Sequence, residues 1–226
     1  MKITTIIGSP KGKGKGYEVA KKVESLLSKY EELTFEYIFL KNIDLKPCIG
    51  CFMCVKKGIE TCPIKDEFTI LKKKIDNSDG IILVSPSYVH NVSWIMKNLI
   101  DRFAYINHRP QFFDKKLMLI SNASSGMEST IKAMRFTFGP GPEIVSEIPY
   151  LTPEWEVSDK VADKLKRMLQ GETEKFYKSI KSKNKPTPDI QNYVRFKLFK
   201  KVSVDVKEYF PADYDYYKLN FPSRNQ

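Results

Sequence analysis

The chain has 226 residues, 42% of them hydrophobic and 29% charged, with a net charge of +11. That length supports one sizeable core with a small appendage. No apolar run approaches the length needed to span a bilayer, and the residues open on a strand-like run rather than a secretory leader, so the expectation is a cytoplasmic protein without a membrane partner. The basic excess is uneven: residues 160–226 hold 16 Lys and Arg against 8 Asp and Glu, whereas residues 1–159 hold 22 against 19. The lysines of the tail are interleaved, and no RNP-like or helix-turn-helix signature accompanies them. They read as a solvated helix face, and nucleic acid is not the expected partner.

The β-branched run KITTII at 2–7 predicts a strand that ends at Gly8, and apolar residues at helical spacing from Tyr17 to Leu27 predict a helix over 17–30. LTFEYIFL at 33–40 reads as a second strand, 66–77 as a helix, and GIILVS at 80–85 as a buried strand. A helix at about 91–103, a strand at Lys116–Ser121, a helix at about 127–137 and a strand at Glu143–Ile148 follow. Five strands alternating with helices argue for an α/β fold with a doubly wound parallel sheet, since crossovers of this length place helices on both faces. GPGP at 139–142 breaks the chain before the fifth strand, and KNKPTP at 183–188 breaks it after a Lys-rich helix near 157–181. The division expected is a domain at 1–182 and a C-terminal extension at 183–226. In the extension, 193–210 carries helical spacing and FPADYDYYKLNF reads as irregular. Its aromatic residues would clasp a second subunit, roof the active site or pack on their own domain, and the subunit reading is favoured.

All four cysteines lie in one stretch, Cys48-Ile-Gly-Cys51-Phe-Met-Cys54, then seven residues, then Cys62-Pro63. Three thiolates at C-x2-C-x2-C spacing with a fourth nearby suit an iron–sulfur cluster, which makes the chain a candidate electron-transfer protein. Structural zinc more often pairs two distant C-x2-C knuckles, and disulfides fit neither the context nor the number. Unmetallated thiols, with Cys48 and Cys51 as a redox pair, are the other open reading.

Ligands of doubly wound sheets sit beyond the carboxyl ends of the strands, where three loops would converge. The first, Gly8-Ser9-Pro10-Lys11-Gly12-Lys13-Gly14-Lys15-Gly16, runs into a helix and suits a phosphate: its glycines let N–H groups converge, and the helix start and lysines favour an anion. It matches neither the Walker pattern nor G-x-G-x-x-G in register, so ATP is not indicated. The second, Ser85-Pro86-Ser87-Tyr88-Val89-His90-Asn91-Val92-Ser93, mixes a rigid proline, an aromatic ring and small polar groups, which suits a flat heteroaromatic ring. The third, Ser121-Asn122-Ala123-Ser124-Ser125-Gly126-Met127-Glu128, is polar and small and offers backbone amides from the other side.

These loops, with KPCIGCFMC…C at 46–62 followed by KDEF and SPSYVHNVSWIMKNLIDR at 85–102, resemble the flavodoxin-like FMN-binding family. That family includes NAD(P)H-dependent FMN and quinone reductases and, closest, the iron–sulfur flavoproteins. The resemblance covers roughly the first 150 residues and implies a sheet of order 2-1-3-4-5. It places the FMN phosphate on Ser9, Lys11, Lys13, Gly14, Lys15 and Gly16. Pro86, Ser87, Tyr88, Asn91 and Val92 would border the isoalloxazine, with Asn122, Ser124 and Gly126 opposite. It further implies a [4Fe-4S] cluster on Cys48, Cys51, Cys54 and Cys62, NAD(P)H or ferredoxin as redox partner, and a homodimer or homotetramer. Without a cluster, NAD(P)H-dependent FMN or quinone reduction is implied. A non-catalytic flavodoxin-like shuttle is a further alternative, against which the basic balance counts, and a zinc- or apo-binding module whose altered first loop no longer holds flavin is another. Since the flavin carries the chemistry, no catalytic side chain is assigned. Two positions depart from the family pattern. Lys11 stands where Arg is usual, and Lys15-Gly16 where Asn-Thr or Asn-Ser is usual, removing a hydroxyl worth on the order of 1–3 kcal/mol to a charged acceptor.

Overall fold

Ile3, Ile6 and Ile7 are fully buried with Thr4 and Thr5 between them, so β1 (Lys2–Ile7) faces apolar layers on both sides. A central strand of a parallel sheet requires this. The computed structural model describes residues 1–182 and 190–222. β1 pairs in parallel with β2 (Thr34–Phe39) on one side and β3 (Gly80–Pro86) on the other. β4 (Lys116–Ala123) and β5 (Glu143–Leu151) complete a five-stranded parallel sheet of order β2-β1-β3-β4-β5.

α1 (Lys15–Leu27) buries Val19, Ala20, Val23 and Leu27 against Ile3, Ile7, Ile82 and Val84. The long α6 (Asp159–Lys181) covers the same face through Leu169 and Phe176. On the opposite face lie α3 (Phe68–Asp76), α4 (Trp94–Arg102) and α5 (Met127–Met134). They pack on Ile6, Ile81, Leu83, Leu117 and Leu119. Between β2 and α3 the chain forms a one-turn helix, α2 (Met53–Lys56), which the sequence reading does not contain. No described helix is long and apolar enough to cross a membrane.

Several boundaries differ from expectation. α4 starts at Trp94 rather than near 91, because Ser93 accepts the Met96 N–H and so caps it. β5 runs past Ile148 to Leu151 with Pro149 inside it. The tail forms two helices, α7 (Ile190–Asp205) and α8 (Pro211–Asn220), so the stretch read as irregular is helical, with Pro211 in its first turn. The aromatic residues of the tail make contacts with their own domain. The Tyr217 hydroxyl donates to the His108 carbonyl at 2.8 Å, and Phe196, Phe221 and Phe113 form an edge-to-face cluster. The expected break at 183–188 lies outside the described residues.

Candidate functional site

β1 delivers the chain to Gly8, whose N–H donates to the Val84 carbonyl at 2.7 Å. A Cβ there would stand 2.7 Å from Met96 Cε and 2.9 Å from Met96 Cβ, so α4 approaches this closely only because position 8 is glycine. Ser93 fastens this loop to the next: its hydroxyl donates to the Gly8 carbonyl, and its N–H donates to Ser85 Oγ at 3.2 Å. The loop then coils on itself through Gly12 N–H to the Ser9 carbonyl and Gly14 N–H to the Gly12 carbonyl. α1 begins without a capping side chain. The N–H groups of its first turn have no partner within the helix and point outward, which suits an anion.

Beyond the ends of β1, β3, β4 and β5 lies a cavity of about 470 Å³. Of the expected residues, Ser9, Lys11, Gly14, Lys15, Gly16, Pro86, Ser87, Tyr88, Asn122 and Ser124 line it. The β1 and β3 loops leave opposite faces of the sheet here, so this is the switch point at which such sheets bind ligands. Asn122 is 7% exposed and its Oδ1 is buried with no hydrogen-bond partner among the described residues, while its Nδ2 donates to Thr152 Oγ1 at 3.3 Å. A Cβ on Gly16 would lie 2.6 Å from that oxygen. An orphaned acceptor, free helix amides, two lysines and a cradle that a single methyl would fill together fit a phosphorylated, hydroxyl-bearing ligand.

Four expected residues fall outside this wall. Lys13 turns away, its Nζ 5.9 Å from the Tyr17 ring. Val92 is 7% exposed and belongs to the core under α4. Asn91 serves the turn itself, exchanging backbone bonds with Tyr88 and accepting the Val92 N–H through Oδ1 at 2.8 Å. Gly126 supplies backbone at φ 74°, and its carbonyl accepts the Ser87 hydroxyl at 3.0 Å. Val89 and His90, between Tyr88 and Asn91, both have positive φ, 50° and 61°. This is the pattern of a type I′ turn, and a β-branched residue adopts it only under strain. The sequence reading missed Glu18 and the whole wall after β5, Thr152, Pro153, Glu154 and Trp155. The rule that ligands sit beyond strand ends could have found it, because β5 ends there too.

The cysteine segment is tied down at both ends. Asn98 accepts the Cys48 N–H at 3.2 Å and donates to the Leu45 carbonyl at 2.8 Å. At the other end Arg109 donates to the carbonyls of Cys54 and Val55. Cys48 and Cys51 are exposed, Cys54 and Cys62 half-buried, and all four are free thiols. The expected ligand set is not formed: among the described residues no three His, Cys, Asp or Glu side chains converge as a metal site. Phe52 takes a left-handed conformation at φ 58° directly before α2, so Cys54 sits on a helical turn, whereas Cys48 and Cys51 lie on irregular chain with Gly50 between them at φ 66°. The thiols are nevertheless close enough to sense one another. Burial, then the neighbouring charges of Cys62, Cys48 and Cys51, push the Cys54 thiol above its usual pKa. Since the thiolate is the nucleophile, iodoacetamide should modify Cys48 and Cys51 before Cys54 in metal-free protein. Peptide mass spectrometry over a time course reads the order, and Cys54 reacting first would contradict this account.

Comparison with known proteins agrees with this architecture. Residues 1–143 match the family described as NADPH-dependent FMN reductase. An iron–sulfur flavoprotein of Methanocaldococcus jannaschii is 33% identical over 141 residues, covering 61% of this chain and 72% of that protein. One from Archaeoglobus fulgidus is 35% identical over 112 residues, and the match spans 49% of each chain. Among solved structures, an NADH:FMN oxidoreductase in its apo form aligns with TM-score 0.53 at 17% identity, covering 80% of this chain and 91% of the other. RosB, solved with bound 8-demethyl-8-formylriboflavin-5'-phosphate, aligns with TM-score 0.59 at 12% identity, covering 80% and 79%. These two structures share the fold. With the family match spanning well over half of its residues, the chain belongs to the NADPH-dependent FMN reductase family.

Proposed function

We propose that the chain binds FMN in the cavity at the ends of β1, β3 and β4 and works as an oxidoreductase with NAD(P)H as donor. The observation that carries this reading is the uncapped start of α1 facing Lys11, Lys15 and the unpartnered Asn122 Oδ1. The first-turn amides and the two lysines hold the phosphate, and Asn122 Oδ1 accepts a hydroxyl of the ribityl chain. Pro86, Ser87 and Tyr88 border the ring, with Tyr88 exposed enough to meet an incoming donor. When bound, the flavin supplies hydride acceptance and one- or two-electron transfer. Titration of the metal-free chain with FMN should quench flavin fluorescence to saturation, and anaerobic NADPH should then bleach the visible flavin bands. Failure to quench would remove the FMN reading; quenching without bleaching would leave a flavin protein that takes electrons from another donor, such as ferredoxin, or shuttles them.

A second reading concerns Cys48, Cys51, Cys54 and Cys62. Four thiols in one short segment have the donor chemistry of an iron–sulfur cluster, and the relatives from M. jannaschii and A. fulgidus are named iron–sulfur flavoproteins. The arrangement observed is not a closed ligand set, so loading would require the segment to fold inward. Anaerobic purification with iron and sulfide assays decides it. About four irons per chain, lost in Cys51→Ser, would support the cluster, and iron-free yellow protein would leave a reductase with free thiols.

A further inference from the structure

We propose that the C-terminal helix α8 sets the position of the cysteine segment: Asp213 fixes Arg109, and Arg109 fixes the backbone of Cys54 and Val55, making both positioning residues for the Cys54 thiol. α2 is a single turn, so its last carbonyls have no acceptor role within the helix. The Arg109 guanidinium fills that role, donating to the Val55 carbonyl at 2.7 Å and, through its other nitrogen, to the Cys54 carbonyl. Its planar fork presents two nitrogens side by side, one to each of the two adjacent carbonyls.

Arg109 is 6% exposed, and a cation buried to that degree requires a counterion. It comes from outside the segment that matches the family, since Asp213, 4% exposed on α8, accepts from Arg109 through Oδ1. The other carboxylate oxygen lies 2.9 Å from His108 Nδ1. α8 is held in place by Tyr217 on the His108 carbonyl and Tyr216 on the Pro110 carbonyl. Two links therefore connect residue 213 to residue 54.

The test uses the full-length chain, reduced and chelator-treated, with iodoacetamide as probe and each cysteine peptide followed by mass spectrometry. Asp213→Asn should raise the Cys54 rate about tenfold, a ~1.4 kcal/mol change in local opening. Cys48, anchored separately by Asn98, should keep its wild-type rate. Arg109→Lys keeps the charge opposite Asp213 but loses the fork, and should show the same Cys54-selective gain. Asp213→Glu, which keeps a carboxylate, should return the rate toward wild type. An unchanged Cys54 rate in Asp213→Asn, or equal acceleration of all four thiols, would overturn the proposal. If Asp213→Asn gives no folded protein, Arg109→Lys decides by the same two outcomes.

Discussion

Asp66→Asn is expected to lower folding stability by about 3–5 kcal/mol, the cost of leaving a buried cation without its partner. The Asp66 side chain is 1% exposed and the Arg102 side chain 3%. The pair is bidentate, with Arg102 Nη2 donating to Oδ1 at 3.0 Å and Nη1 donating to Oδ2. The N–H groups of Lys46 and Phe68 complete the carboxylate's shell at 2.9 and 3.0 Å. An asparagine would keep the shape and lose the charge, stranding Arg102 against the Phe68 ring, 4.8 Å away. Burial pushes the Asp66 carboxyl up, but the bonds from Arg102, Phe68 and Lys46 outweigh it and hold the carboxyl below the usual range. A depressed folded value means that the stabilisation is complete above the unfolded pKa of about 3.9 and disappears as pH falls through the lower folded value. Urea midpoints of wild type and Asp66→Asn should therefore differ widely at neutral pH and converge in acid. A difference under about 1 kcal/mol at neutral pH would mean that the pair is no better than an exposed one.

Gly16→Ala should weaken FMN binding about a hundredfold, a loss of ~2.7 kcal/mol within the range for overfilling a packed site. The added methyl would meet Asn122 Oδ1 at 2.6 Å and Val84 Cγ1 at 3.0 Å. Val84 belongs to the fully buried β3 and cannot retreat, so the methyl must displace the Asn122 amide. Gly171→Ala is the matched control. A Cβ on that glycine, in the middle of α6, meets nothing within 4 Å. It should leave flavin affinity unchanged and raise stability by roughly 0.5–1 kcal/mol through the better helix propensity of alanine. Fluorescence titrations of both variants check the pair of expectations. Equal affinity in Gly16→Ala and wild type would place the ligand away from this loop.

What the sequence made legible follows from how local each signal is. The short β-branched and apolar runs of β1, β3 and β4, bounded by turn residues, read as strands buried on both faces, and the glycines of the first loop announce a tight turn into a helix. The fifth strand, expected at Glu143–Ile148, continues through Pro149 to Leu151, which is possible because β5 is the sheet's edge and Pro149 has no outer partner to lose. The shorter expectation hid the wall from Thr152 to Trp155, whose sequence carries none of the small polar pattern of the other three loops. α8 was invisible because its Tyr-rich sequence lacks a single apolar stripe; its rings are shared between the domain and α7. The C-x2-C-x2-C spacing was plain, but spacing along a chain is not convergence in space, and among the described residues the thiols form no ligand group.

The uncapped beginning of α1 has a thermodynamic consequence. This helix supplies Val19, Ala20, Val23 and Leu27 to one whole layer of the core, yet no side chain among the described residues caps its amino end. An anion seated there acts as the missing cap, delivered from solution. By mass action, a ligand at a hundred times its dissociation constant adds about 2.7 kcal/mol to the folded state, comparable to a large share of a domain's net stability. On the proposed reading the cofactor would thereby be a folding partner as well as a reagent, and a chain starved of flavin would be the one most readily opened and cleared by proteases.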